Sequence, residues 1–221
     1  MKNTWMQSLE DAGRPLLRQN QPDGGTLLIS PWGGRVLGLF VPGCEKNLLW
    51  VNPDLDDPLK AEKLLASPLW PNLGGDRIWL APERDFFYPG FPDLQRYEPP
   101  TQIDPGQYSV DRTETTTRLV NIARLHSFRL GVSISLKVTR VISSAPNPLR
   151  HEKELMRGLE DVRYAGYHAA TRLTLRGQSG AAVQGWACGV SCNCPTTARY
   201  CCQPTGIAAL EPILGKLLPR T

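Results

Sequence analysis

Asn72-Leu-Gly-Gly-Asp-Arg-Ile-Trp-Leu-Ala-Pro-Glu83, followed at once by Arg84-Asp-Phe-Phe-Tyr-Pro89, is the stretch whose reading decides the fold. Gly74 and Gly75 permit a positive φ or a close backbone approach. Ile78 and Leu80 alternate with Arg77, Trp79 and Ala81, the period of a strand with two unlike faces. Pro82 cannot donate to a sheet ladder, so the strand is expected to end there or to lie at an edge. One face belongs to a core, and the other presents Arg77 and Trp79, with Glu83 just beyond. An amphipathic strand with a partly buried indole and an ion-paired arginine satisfies this pattern without any ligand.

The surrounding chain extends the same pattern. Twenty glycines and twenty prolines among 221 residues suit an all-β chain with frequent turns. Thr26 to Ser30 and Arg35 to Val41 read as two strands of a hairpin across Pro31-Trp-Gly-Gly34, and Asn47 to Val51 as a third. Tyr108 to Arg112 and Thr115 to Ala123 are rich in threonine and valine. In Phe128-Arg-Leu-Gly-Val-Ser-Ile-Ser-Leu-Lys-Val138, six apolar residues share one parity, which predicts a single half-buried strand. Burying those six side chains stabilises by on the order of 10 kcal/mol before chain entropy is subtracted. Val162 to Tyr167 and Thr171 to Leu175 read as further strands. Short helices are expected over 4–18, 59–66 and 152–159, the last from Leu155, Met156 and Leu159. The aspartates of Asn52-Pro-Asp-Leu-Asp-Asp-Pro58 lack the glycine turn and terminal bidentate carboxylate of a calcium loop.

Gly74-Gly-Asp-Arg-Ile-Trp-Leu-Ala-Pro-Glu83 resembles the Gly-Gly-x-Arg-x-Trp-x-Ala/Ser-Pro-Glu signature of uncharacterised bacterial proteins related to aldose 1-epimerases. Gly33-Gly-Arg-Val-Leu-Gly-Leu-Phe40, Leu48-Leu-Trp-Val-Asn52 and Tyr164-Ala-Gly-Tyr167 agree with that resemblance, which spans roughly residues 24 to 180. It implies an all-β antiparallel β-supersandwich of the galactose mutarotase-like kind. Such a domain is normally longer, so the fold is expected to be incomplete. The chain then divides into an N-terminal segment 1–23, a partial β-sandwich domain 24–180 and a Cys-rich tail 181–221.

Five of the six cysteines fall in that tail, at 188, 192, 194, 201 and 202. Their spacings match no familiar zinc pairing, and nothing else argues for the oxidising compartment that disulfides need. A frameshifted translation accounts for them better. Cys194, Cys201 and Cys202 each follow a codon ending in a pyrimidine and become leucine in the neighbouring frame. From Trp186 onward, that frame can read Gly-Leu-Trp-Gly-Lys-Leu-Gln-Leu-Pro-His-Asn-Gly-Thr-Ile-Leu-Leu-Pro, two short strands around a turn. The printed residues beyond about 180 are expected to stay disordered.

The resemblance implies a carbohydrate-binding protein whose cleft takes a mono- or oligosaccharide, with Asn72, Arg77, Trp79, Glu83 and Tyr88 in contact with it. Arginine offers bidentate contacts and tryptophan a stacking face. Phe86 and Phe87 before Pro89, and Phe91 and Tyr97 on the long loop after it, add aromatic candidates, although packing beneath that loop explains them equally well. A second reading is an aldose 1-epimerase-type isomerase with a carboxylate base and a histidine acid. Glu83, His126 and His168 are its candidate catalytic residues. The epimerases' Asn-His-x-Tyr-Phe-Asn segment and late glutamate are missing here. A third reading is an inactive truncated product. Hydrogen bonding within strands accounts for both histidines without catalysis, as packing does for Trp32, Trp50 and Trp70.

The formal charge of +4 is spread out, with no Lys/Arg run or nucleic-acid signature, so a nucleic-acid partner is not expected. No stretch reaches the roughly 18 apolar residues of a membrane helix, and the N-terminus lacks a signal-peptide core. The expectation is a cytoplasmic protein with no membrane partner, no cofactor and no metal.

Overall fold

Strands outnumber helices among the described residues, and the strands assemble into two antiparallel sheets. The computed structural model describes residues 4–152, 154, 157–159, 162–176 and 187–192. Sheet I has the order β1 (Leu17–Asn20), β2 (Thr26–Ser30), β3 (Arg35–Phe40), β4 (Asp76–Ala81), β9 (Ala187–Cys192). Sheet II has the order β5 (Ser109–Arg112), β6 (Thr116–Ser127), β7 (Val132–Ser144), β8 (Tyr167–Arg176). Helices α1 (Thr4–Asp11), α2 (Pro58–Ala66) and α3 (Glu83–Phe86) and a 3-10 turn (Pro53–Asp56) fill the connections. Among the described residues no helix is long and apolar enough to cross a membrane.

The sheets pack face to face. Leu27, Ile29, Val36, Ile78 and Leu80 of sheet I meet Leu119, Leu125, Ile134, Leu136, Val138 and Ile142 of sheet II, all buried. Each such side chain stabilises by about 1.5–3 kcal/mol through burial. A second core lies on the other side of sheet I, where Leu28, Leu37 and Phe40 meet Trp5, Leu9, Leu55, Ala61 and Leu73. Among the described residues, one ion pair joins strands of the two sheets. Arg140 occupies an inward position of β7 and donates to Asp76 of β4 through Nη2 at 2.6 Å, and to the Gly34 carbonyl through Nη1 at 3.1 Å. Tyr167 donates to the same Asp76 oxygen at 2.7 Å.

Several expected elements change. The helix expected over 4–18 ends at Asp11, because Gly13 takes φ +69° and Pro15 follows, and the chain then joins sheet I as β1. Asn47 to Val51 forms no strand. There the Asn47 side chain replaces a backbone ladder, accepting from Leu39 N at 3.0 Å and donating to Leu37 O at 2.9 Å. Of the strand expected over 128–138, only residues 132–138 are strand, the first half of β7. Residues 128–131 form a hairpin turn closed by Gly131 N donating to Ser127 O at 2.8 Å, with Gly131 at φ +66°. Residues 162–166 are not a strand either. The Gly166 carbonyl accepts from Gln21 Nε2 at 2.6 Å and Ala145 N at 3.1 Å, and pairing begins only at Tyr167.

Within the tail, Ala187–Cys192 pairs with β4 along its whole length, from Asp76 opposite Cys192 to Ala81 opposite Ala187. The expected disorder past residue 180 does not hold for that strand, and the rest of 177–221 lies outside the described residues. Of the helix expected over 152–159, Leu155 and Met156 also lie outside the described residues.

Candidate functional site

The glycine pair sets the position of β4. Gly74 and Gly75 take φ +90° and +71°, and Gly75 N donates to Trp50 O at 2.8 Å. A side chain at Gly74 would strike the Trp50 carbonyl, and one at Gly75 the Val36 carbonyl, so only glycine lets β4 start this close to its neighbours. Ile78 and Leu80 then face sheet II, and Arg77 and Trp79 face the opposite way. The strand stops at Ala81, before Pro82, and Glu83 opens α3. Asp85 of α3, fully buried, accepts from Arg129 Nε at 2.7 Å and Nη2 at 2.9 Å. That fork ties α3 to the β6–β7 hairpin and raises the Arg129 pKa through the hydrogen bond to Asp85.

Arg77 lies between two indoles. Its guanidinium carbon is 4.5 Å from the Trp70 ring and 4.3 Å from the Trp79 ring, and Nη1 donates to Asn72 Oδ1 at 2.8 Å. Asp104 lies beyond, 4.0 Å from Arg77 Nε. Its carboxylate accepts from Arg35 Nη2 and, at 2.8 Å, from Trp70 Nε1. Arg77 is 7 % exposed, and burial pulls its pKa below the ordinary arginine value while Asp104 opposes the shift. Trp79 Nε1 donates to Glu83 Oε1. The aromatic row continues from Trp79 to Phe87 at 4.6 Å, from Phe87 to Tyr97 at 5.9 Å, and from Tyr97 to Tyr88 at 5.4 Å. Desolvation, with the Glu83 carboxylate second, pushes the Tyr97 pKa up to about 12.

A cleft of about 730 Å³ adjoins this cluster. Trp70 and Tyr97 belong to both, and Glu98, Gln102, Arg124 and His126 bring polar groups to its wall. Asn72, Arg77, Trp79, Glu83 and Tyr88 therefore lie in one contiguous group, as their placement around a single motif predicts. Arg77 is buried, with Nη1 on Asn72 and Nε lacking a hydrogen-bond partner, so the most exposed part of the group consists of Glu83, Tyr97 and indole surface.

The histidines are separated. His126 lines the cleft, its ring 5.3 Å from Phe128. His168 is exposed on β8, opposite Ser143, whereas His126 is opposite Ser133. Those serines are ten residues apart on β7, roughly 33 Å at strand rise. His168 shares no cleft with Glu83 among the described residues.

Trp70, Asp104 and Arg35 join the cluster without having been expected there. The readable signal was Arg35, a charge at the head of an otherwise apolar strand, which demands a buried counter-charge. Comparison of the chain with known protein families, with characterised proteins and with solved structures finds no match.

Proposed function

We propose that the protein binds carbohydrate, on a sandwich of the galactose mutarotase-like kind, in the cleft between the Arg77 cluster and the β6–β7 hairpin. One observation carries this reading: Trp70 and Tyr97 are shared by the cluster and the cleft. Aromatic faces for a sugar's apolar side and hydrogen-bonding groups for its hydroxyls thus converge on one concavity. Its volume of about 730 Å³ falls within the roughly 300–1,000 Å³ usual for small-ligand sites. Arg77 serves this site from within, holding Trp70 and Trp79 at a fixed separation so that their free surfaces are preorganised.

An aldose 1-epimerase-type isomerase is the second reading, favoured by one feature: an imidazole, His126, and a carboxylate, Glu98, line the same cleft. Glu83 does not line that cleft, and its carboxylate accepts the Trp79 indole N–H.

Saturation-transfer NMR and calorimetry against a panel of neutral monosaccharides and short oligosaccharides test binding. Trp70→Ala removes one stacking face and weakens any bound sugar by about tenfold, the equivalent of roughly 1.4 kcal/mol. An absence of saturation transfer from every sugar, neutral or anionic, at millimolar concentration refutes the reading. Polarimetry of anomer equilibration separates the two readings, because only an isomerase accelerates it, and His126→Gln then removes the acceleration.

A further inference from the structure

The outward face of sheet II is open among the described residues, and its charge is one-sided. Register determines which side chains share that face, because directly paired residues point the same way. Arg124 of β6 and Arg176 of β8 flank Ser135 of β7 in one row, about 10 Å apart at two strand spacings. Lys137 lies two residues further along β7, and Arg172 is opposite Thr139, one row beyond that. Arg124, Arg172 and Arg176 are exposed and Lys137 half-exposed. None of the four takes part in an ion pair among the described residues. The one carboxylate that register places on this face is Asp111, and it is opposite Arg118, towards the far end. Net charge alone conceals this patch, because acids elsewhere balance it.

The patch is continuous with the cleft, since Arg124 and Ser133 belong to both. We infer that the sugar taken by the cleft is anionic, a carboxylated or sulfated oligosaccharide that runs out of the cleft over Arg124, Lys137, Arg172 and Arg176. This rests on the carbohydrate reading above and narrows its ligand class.

Charge complementarity identifies the occupant. A single-stranded nucleic acid fits less well, because binding it relies on stacking platforms. Register brings Val120, Ile122 and Val141 to this face but no Phe, Tyr or Trp from β5–β8. A second copy related by a two-fold axis would set the same four cations against themselves.

The test compares pairs of ligands that differ only in charge. Oligogalacturonate is titrated against its methyl ester, and dextran sulfate oligosaccharide against dextran, with polyuridylate as a further arm. At about 50 mM salt the anionic member of at least one pair binds ten times or more tighter than its neutral partner, and that preference shrinks by about 250 mM. Which pair responds tells carboxylate from sulfate. Lys137→Gln, Arg172→Gln and Arg176→Gln together, all outside the cleft, remove the preference and leave neutral-sugar affinity unchanged. Replacing both arginines by lysine retains it.

Equal binding of charged and neutral members overturns this inference and leaves the carbohydrate reading standing. If no sugar of either charge binds, both fall. If polyuridylate binds through these residues while sugars do not, the face belongs to nucleic acid and both fall.

Discussion

Replacing Arg140 by leucine tests how the two sheets are clasped. Arg140 is fully buried and reaches across the sandwich from β7 to β4, where Asp76 is 3 % exposed. Without the guanidinium, the Asp76 carboxylate keeps only the Tyr167 hydroxyl, at 2.7 Å, as a side-chain donor. A charge stranded in this way costs about 3–5 kcal/mol, a large part of the 5–15 kcal/mol that typically holds a domain together. The pair as a whole is worth much less than either half, because desolvation cancels most of its Coulomb attraction. Arg140→Leu combined with Asp76→Leu is therefore expected to recover most of the loss. Urea unfolding followed by tryptophan fluorescence, run as a double-mutant cycle, measures both quantities. The clasp is refuted if Arg140→Leu costs less than about 1 kcal/mol, or if the double variant loses as much as the two single losses added together.

Two further outcomes follow from the site. Gly75→Ala forces a Cβ into the Val36 carbonyl at φ +71°, so at about 2 kcal/mol the melting temperature falls by roughly 4–8 °C, whereas a change within about 1 °C contradicts the close approach. Tyr97, pushed up to about 12 from its ordinary 10.0, adds stability that is complete below pH 10 and fades as pH rises toward 12. The tyrosinate absorbance lost on Tyr97→Phe is expected above pH 11, and a loss centred at pH 10 refutes the desolvated setting.

The architecture was legible where alternation was strict. Ile134, Leu136 and Val138 read as inward residues and are buried. The same parity concealed the hairpin, because Phe128 and Leu130 continue the even-numbered series through the turn, and only Gly131 marked the break. Side-chain mimicry of a ladder, as by Asn47, leaves no periodic trace and was not readable. Asn72, Arg77, Trp79 and Glu83 are neighbours in the structure because they lie within twelve residues along one strand and its flanks. Asp104 and Trp70 enter through loops whose course nothing local dictates. The cationic rows on sheet II became visible only through register, since Arg124, Lys137, Arg172 and Arg176 come from three strands.

The lateral support of β4 sets a schedule for synthesis. Val36 opposite Asp76 is its one registered pairing with β3, whereas β9 flanks it from end to end. A chain emerging from the ribosome has released every aromatic of the cluster by Tyr97, yet β9 is complete only at Cys192, 95 residues later by subtraction. At about 5–20 residues per second that interval lasts roughly 5–20 seconds. Throughout it, the nascent chain carries an apolar strand with one margin bare, the condition in which a chaperone or a neighbouring nascent chain finds a template.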